Sequence, residues 1–251
     1  MSTNTPSAFP GPIRRERRGS AAWIMLNRPE QHNAINPAMV ADLAASVRAA
    51  DADERVRVLV LTGAAPAFCV GADLDYLRAM TERADGLDRF LDELLHPLAE
   101  VLRLLRESAK PVIAAVNGAC VAGGLELVLA CDLVVASSTA TFCDAHATVP
   151  ALGAVGSLVH AVGSYRAKQV LLASEVHDAA TMREFGLVAE VAEAELLADR
   201  VTDLADTLAL RSPGGLGLIK AMVHRAEQPS WSDRIAADLA DFAAGWSSMD
   251  L

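Results

Sequence analysis

One run limits what this chain can become. Lys110-Pro-Val-Ile-Ala-Ala-Val-Asn-Gly118, continuing Ala-Cys-Val-Ala122-Gly-Gly-Leu-Glu126-Leu-Val-Leu-Ala-Cys-Asp132, reads as a buried strand, a turn and the opening of a buried helix. Pro111 has no N–H to donate and can only begin a strand, and Val112 to Val116 is an apolar run closed by the turn residues Asn117-Gly118. Gly123-Gly124 lets backbone approach backbone, and the N–H groups of a helix's first turn have no partner inside the helix, which suits an anion. Glu126 follows within about one turn among Leu, Val and Ala, the partly desolvated setting in which a carboxylate becomes a general acid or base. Taken alone, the segment favours a simpler reading: Glu126 complements the helix dipole and the glycines permit tight packing.

A second stretch shifts the balance. Val58-Leu-Val-Leu-Thr62-Gly is another buried strand, followed by Ala64-Ala-Pro-Ala-Phe68-Cys-Val-Gly71-Ala72-Asp73-Leu74. With the central run, the opening Leu26-Asn-Arg-Pro-Glu-x-x-Asn33-Ala34 and the later Cys131-Asp-Leu-Val-Val-Ala136, the chain resembles the enoyl-CoA hydratase/isomerase family, the crotonase superfamily, from about residue 13 onward. The resemblance implies an α/β fold, a spiral of ββα units with a C-terminal helical trimerisation region. It also implies an oxyanion hole of two backbone N–H groups at Ala72 and Gly123 that polarises a thioester carbonyl. His32, Ala34, Gly71, Ala72, Asp73, Leu74, Gly123 and Gly124 would then bind an acyl-CoA substrate.

A chain of 251 residues with a formal charge of −10 can bury a sizeable core and is at the upper end for one domain. Net acidity disfavours nucleic acid and anionic membrane as main partners. Cys69, Cys120, Cys131 and Cys143 lie in apolar contexts without a Cys-x-x-Cys pair and read as reduced core thiols. Neither an apolar N-terminal segment nor a run of about 18 apolar residues occurs, so the expectation is a cytoplasmic protein with no membrane span. No cofactor and no metal are expected beyond the CoA thioester itself.

In chain order, residues 1–12 read as a disordered tail, 13–191 as the spiral core and 192–251 as the C-terminal helical region. Arg14, Arg15, Arg17 and Arg18 precede a turn at Gly19-Ser20 and fit a solvated edge strand better than an anion site. Asn36-Pro37 is an N-cap with proline at the first helical position, opening a helix to about Ala50. Phe90, Leu91, Leu94, Leu98, Val101, Leu102 and Leu105 form one helical stripe that Pro97 should kink. Three helices, Glu193 to Leu210, Pro213 to Ala226 and Trp231 to Trp246, end the chain. Trp231, Phe242 and Trp246 would anchor either a homotrimer, alone or doubled, or an ordinary intrachain core.

One departure bears on the reaction. Family hydratases carry a second glutamate in a Phe-x-x-Pro-Glu context, and here Phe142-Cys-Asp144-Ala-His146 puts His146 in that slot, with Asp144 either orienting it or capping a loop. The usual Pro-Gly-x-Gly-Gly turn becomes Gly153-Ala-Val-Gly156-Ser157, and Ala122 stands where the family often has glycine. The leading expectation is syn hydration of a 2-enoyl-CoA through a thioester enolate held by Ala72 and Gly123, with Glu126 as acid/base and His146, whose neutral imidazole can accept a proton from water, in the second role. Hydrolytic C–C cleavage of a β-dicarbonyl substrate and double-bond isomerisation are the alternatives within the family. A non-enzymatic scaffold binding CoA esters or RNA is the alternative outside it. Retention of Gly71-Ala72-Asp73 and Gly123-Gly124-x-Glu126 argues for chemistry.

Overall fold

The computed structural model describes residues 11–146, 155–227 and 231–245. Its larger sheet holds β1 (Ile13–Arg18), β2 (Ala21–Leu26), β3 (Val58–Gly63), β5 (Val112–Val116), β7 (Leu133–Ser137) and β10 (Glu190–Ala192), paired in that order. The smaller sheet holds β4 (Ala67–Cys69), β6 (Ala119–Val121), β8 (Thr141–Cys143) and β9 (His177–Asp178). Apart from the β1–β2 hairpin and the β8–β9 pair, all pairings are parallel. Three times in succession the chain leaves a strand of the larger sheet, adds a short strand to the smaller one and enters a helix. The helices so entered are α2 (Leu74–Thr81), α5 (Gly123–Leu129) and α6 (Val155–Val162), whereas α1 (Pro37–Ala52) connects β2 to β3. This is the expected ββα spiral, and the loose recurrence of strand, turn and helix in the sequence is its trace.

Strands β3 and β5 are buried along their whole length, as parallel strands covered on both faces must be. Asn36 caps α1 by accepting from Met39 N at 3.0 Å, and α1 packs Met39, Val40, Leu43 and Val47 against the sheet. The opposite face is covered by α9 (Leu197–Ala209), whose Leu197, Val201 and Ala205 meet Trp23, Val58, Val60, Ile113 and Val135. The first helix of the C-terminal region is thus part of the sheet's own core. Around the smaller sheet and α5, Phe68 and Phe142 are fully buried, and truncating either to Ala should cost about 3–5 kcal/mol.

The stripe ending at Leu105 is three pieces: α3 (Gly86–Phe90), one π-helical turn at Leu91–Leu95 and α4 (His96–Glu107). His96 N donates to Leu91 O, five residues back. The irregularity falls just before Pro97, which has no N–H for a regular bond, and a π turn re-aims the side chains that follow. Between them, α7 (Ser164–Ala173) and α8 (Ala179–Phe185) lead into β10, and α10 (Pro213–Ala226) and α11 (Trp231–Gly245) close the chain. α10 has no fully buried residue, yet Lys220 Nζ, with a side chain only 9% exposed, bonds Asp132 at 2.8 Å and the carbonyls of Leu105 and Lys110. α11 packs on α6, where a Cβ on Gly156 would lie 2.6 Å from Arg234 Cδ, so any larger residue there would have to displace the Arg234 side chain.

At the N-terminal side, residues 1–10 lie outside the described residues, whereas Asn27 binds the carbonyls of both Gly11 and Pro12. Gly153 and Trp246, and the side chains of Trp231 and Phe242, are likewise outside them. All four cysteines are free, and burial pushes the Cys69 thiol up to about 12. No helix among the described residues is long and apolar enough to cross a membrane.

Candidate active site

Because β4, β6 and β8 are neighbours running in one direction, the residues just beyond their C-terminal ends converge. Ala72 follows β4, Gly123 follows β6 and His146 follows β8. Such strand ends are where parallel sheets place ligand sites.

Two backbone segments meet there. Gly71 turns with φ 88°, and a Cβ on it would lie 3.0 Å from Ala122 Cβ and 3.3 Å from Gly123 N. Ile35 N donates to Gly71 O at 2.7 Å and Asp73 N to Ile35 O at 2.8 Å, which turns the intervening Ala72 amide away from Ile35. Among the described residues neither the Ala72 nor the Gly123 amide donates a hydrogen bond. Ala122, at φ 49° and ψ −115°, is the N-cap of α5, a conformation that costs a side-chain-bearing residue roughly 1–3 kcal/mol. It is held by its N–H donating to Cys143 O and its carbonyl accepting from Glu126 N, both at 3.1 Å. The strained residue therefore ties the amide pair to the strand that carries His146.

The walls enclose two cavities that share Ala72, Leu77 and His146. The outer, of about 520 Å³, is bordered by Gln31, Ala34, Asp73, Leu74, Arg78 and Ala122. The inner, of about 40 Å³, is lined by Gly123, Glu126, Ile35 and Leu77 together with Phe90, Leu94, Leu95 and Leu98 from the π turn and its flanks. Glu126 is 6% exposed. His146 Nδ1 stands 3.0 and 2.9 Å from the two carboxylate oxygens of Asp144, which is itself 2% exposed, and His146 N donates to Asp144 Oδ1 at 3.0 Å. Burial pulls the imidazole pKa down. The hydrogen bond and charge of Asp144 and the charge of Glu126 outweigh it, and the net result is a raised value that favours imidazolium. The sequence pointed to a neutral imidazole accepting a proton, whereas the surroundings favour the form that donates one.

Of the residues expected to bind substrate, Ala34, Ala72, Asp73, Leu74 and Gly123 border the cavities. His32 lines neither. It is exposed, in left-handed conformation at the end of a short 3-10 turn, and its neighbour Gln31 faces the outer cavity instead. Gly71 and Gly124 act from behind: a Cβ on Gly124 would come within 2.2 Å of Cys69 O. Asp73 caps α2 and pairs with Arg28 at 2.9 Å, and Arg28 also donates to Ala34 O. Two asparagines escaped the sequence reading as site supports. Buried Asn33 donates to Ala64 O and Ala67 O and accepts from Arg28 N, and Asn117 accepts from Gly63 N and donates to Ala67 O. Their signal was present, since a buried amide must satisfy both its ends.

Residues 16–250 match the family model described as Enoyl-CoA hydratase/isomerase. A 1,2-epoxyphenylacetyl-CoA isomerase of Escherichia coli is 34% identical over 238 residues, covering 90% of each chain. A probable enoyl-CoA hydratase of Rhizobium meliloti is 33% identical over 214 residues, 84% of this chain and 80% of its own. The crystal structure of an enoyl-CoA hydratase/isomerase from Xanthobacter autotrophicus Py2 superposes with a TM-score of 0.86 at 31% identity, covering 93% of this chain and 87% of that one.

Proposed function

The chain belongs to the enoyl-CoA hydratase/isomerase family, as an acyl-CoA-processing enzyme, and from that premise we propose that it adds water across the double bond of a 2-enoyl-CoA. The observation that carries the reading is the meeting of two undonated amides, a buried carboxylate and an imidazole around one small cavity. The thioester carbonyl oxygen accepts from Ala72 N–H and Gly123 N–H, which bind it most strongly as the enolate forms. Glu126 takes a proton from water as its oxygen bonds to the β-carbon. His146 imidazolium gives a proton to the α-carbon, and proton exchange between the two groups and solvent restores the starting state. These groups complete the cycle without a cofactor.

The outer cavity takes the pantetheine arm and the inner one the acyl end. An inner space of about 40 Å³ holds only a few heavy atoms, since one water needs about 10–15 Å³ by the same measure. Four-carbon crotonyl-CoA is therefore expected to be hydrated with at least tenfold higher kcat/KM than its ten-carbon homologue, followed by loss of the enoyl thioester absorbance. No hydration of any 2-enoyl-CoA from four to ten carbons would overturn the assignment. Double-bond isomerisation is the second reading, favoured by the Escherichia coli relative's name and served by the same amides and proton carriers.

The active unit is read as a homotrimer or a dimer of trimers. Leu218, Ile219, Met222 and Val223 of α10 are each more than half exposed, a contiguous apolar face of the kind that subunit contacts cover. Light scattering is expected to give a trimer or hexamer mass, and Leu218→Glu with Met222→Glu should shift it toward monomer. A monodisperse parent monomer at micromolar concentration would contradict this. The buried free thiols Cys69 and Cys120 fit a reducing, cytoplasmic setting.

A further inference from the structure

We propose that Asp144 is a positioning residue that makes His146 a proton donor with its Nε2 edge toward the reaction space. This rests on the hydration reading only for the use to which the proton is put. Asp144 presents both carboxylate oxygens to Nδ1, at 3.0 and 2.9 Å, and one of them also receives the His146 backbone N–H at 3.0 Å. A carboxylate clamping its neighbour's ring and main chain together fixes the side-chain rotamer. It also requires the proton to sit on Nδ1, because an ionised carboxylate can only accept. Nε2 is then the nitrogen left for exchange with a ligand, and the ring borders both cavities. Asp144 is 2% exposed and lines neither, so it acts through the ring.

The other charged groups around the ring agree with this assignment. Glu126, from α5, borders the inner cavity together with the ring, and its charge favours imidazolium. On the α2 side, Asp73, Asp75 and Arg78 border the outer cavity, with Asp73 engaged by Arg28. Two carboxylates held near one imidazole differ in what they can do. Asp144 meets Nδ1 directly and sets tautomer and orientation, whereas Glu126 shares the inner cavity and is placed to handle water. The pair converts what would be a second carboxylate in this slot into a cation, so the proton given to the α-carbon comes from a positively charged donor. A cationic donor is consumed as pH rises. Hydration should therefore decline on the alkaline side of the imidazole titration, and should not decline through the acid side on account of His146.

Three measurements on the full-length protein decide the matter. Nitrogen-15 NMR of the histidine rings, with His146 assigned by comparison with His146→Gln, should show protonation retained above the pH at which an unperturbed histidine loses it, and Nδ1–H as the neutral tautomer above that. This readout needs no substrate, so it separates failure of the dyad from failure of the hydration reading. Asp144→Asn keeps an acceptor of nearly the same shape but removes the charge. It should move the alkaline limb of kcat/KM for crotonyl-CoA to lower pH by about one unit and lower kcat at least tenfold, with KM changed less than threefold. Asp144→Glu should restore part of the limb's position. In a His146→Gln background, Asp144→Asn should have no further effect on rate. An Nε2–H tautomer in the parent would overturn the proposal. An alkaline limb unmoved in Asp144→Asn, or an Asp144→Asn loss equally large without the imidazole, would do the same. Should both variants fold poorly, the parent NMR result alone still decides the tautomer.

Discussion

Turnover is expected to fall by about 10²–10⁴-fold when Glu126 is replaced by Gln, with the Kd for a saturated acyl-CoA changed by less than threefold. Gln keeps the size and hydrogen-bonding capacity of the side chain but cannot take a proton from water, and the range is what a positioned acid/base group contributes. The location supports the separation of binding from chemistry. Glu126 lines the inner cavity together with His146 and Gly123, whereas Ala34, Asp73 and Leu74, against which the proposed binding mode lays the arm of a CoA ester, border the outer one. Steady-state kinetics with crotonyl-CoA, paired with calorimetric binding of butyryl-CoA, would show it. Turnover within twofold of the parent would remove Glu126 from the mechanism.

The second large effect is expected from a residue that touches no reacting atom. Gly71→Ala should lower kcat by roughly 10²–10³-fold, comparable to losing one oxyanion-hole donor, and should also lower stability by about 1–3 kcal/mol through strained backbone. At φ 88° a side chain is strained whatever the space, and the added methyl would press on Ala122 Cβ at 3.0 Å and on Gly123 N at 3.3 Å. Relief moves one amide relative to the other, and two donors aimed at one oxygen tolerate little displacement. Denaturant unfolding and kcat measured on the same preparation should both change. A stability loss with unchanged kcat would mean that these amides do not bind the developing charge. Gly124 offers the contrast: its Cβ would meet the Cys69 carbonyl at 2.2 Å, inside the packed core, and Gly124→Ala should impair folding itself.

Much of this was legible in the residues. Lys110 to Asp132 announces a buried strand and a buried helix because the apolar runs, the proline and the paired glycines are local signals, and β5 and α5 lie where they point. Asn36-Pro37 set the start of α1 for the same reason. Strand β6 was read as part of a turn, since three residues carry no periodicity and its pairing partners, β4 and β8, are distant in sequence. The π turn escaped because a stripe of leucines reads alike over regular and bulged helix.

By itself, then, the sequence determined the longer strands and helices, the glycines at 71 and 124 where backbone passes close, and the presence of a carboxylate at 126 and an imidazole at 146. These follow from side-chain size, backbone freedom and hydrophobic pattern, which are properties of neighbouring residues. Only the tertiary structure decided which groups meet. The parallel β4, β6 and β8 bring Ala72, Gly123 and His146 to one end of a sheet, and α9 joins the core because the sheet has a second apolar face to cover. The protonation preference of His146 also belongs to this level. It depends on distances to Asp144 and Glu126 and on burial, and an electrostatic interaction is set by separation in space and by the surrounding dielectric, not by separation along the chain.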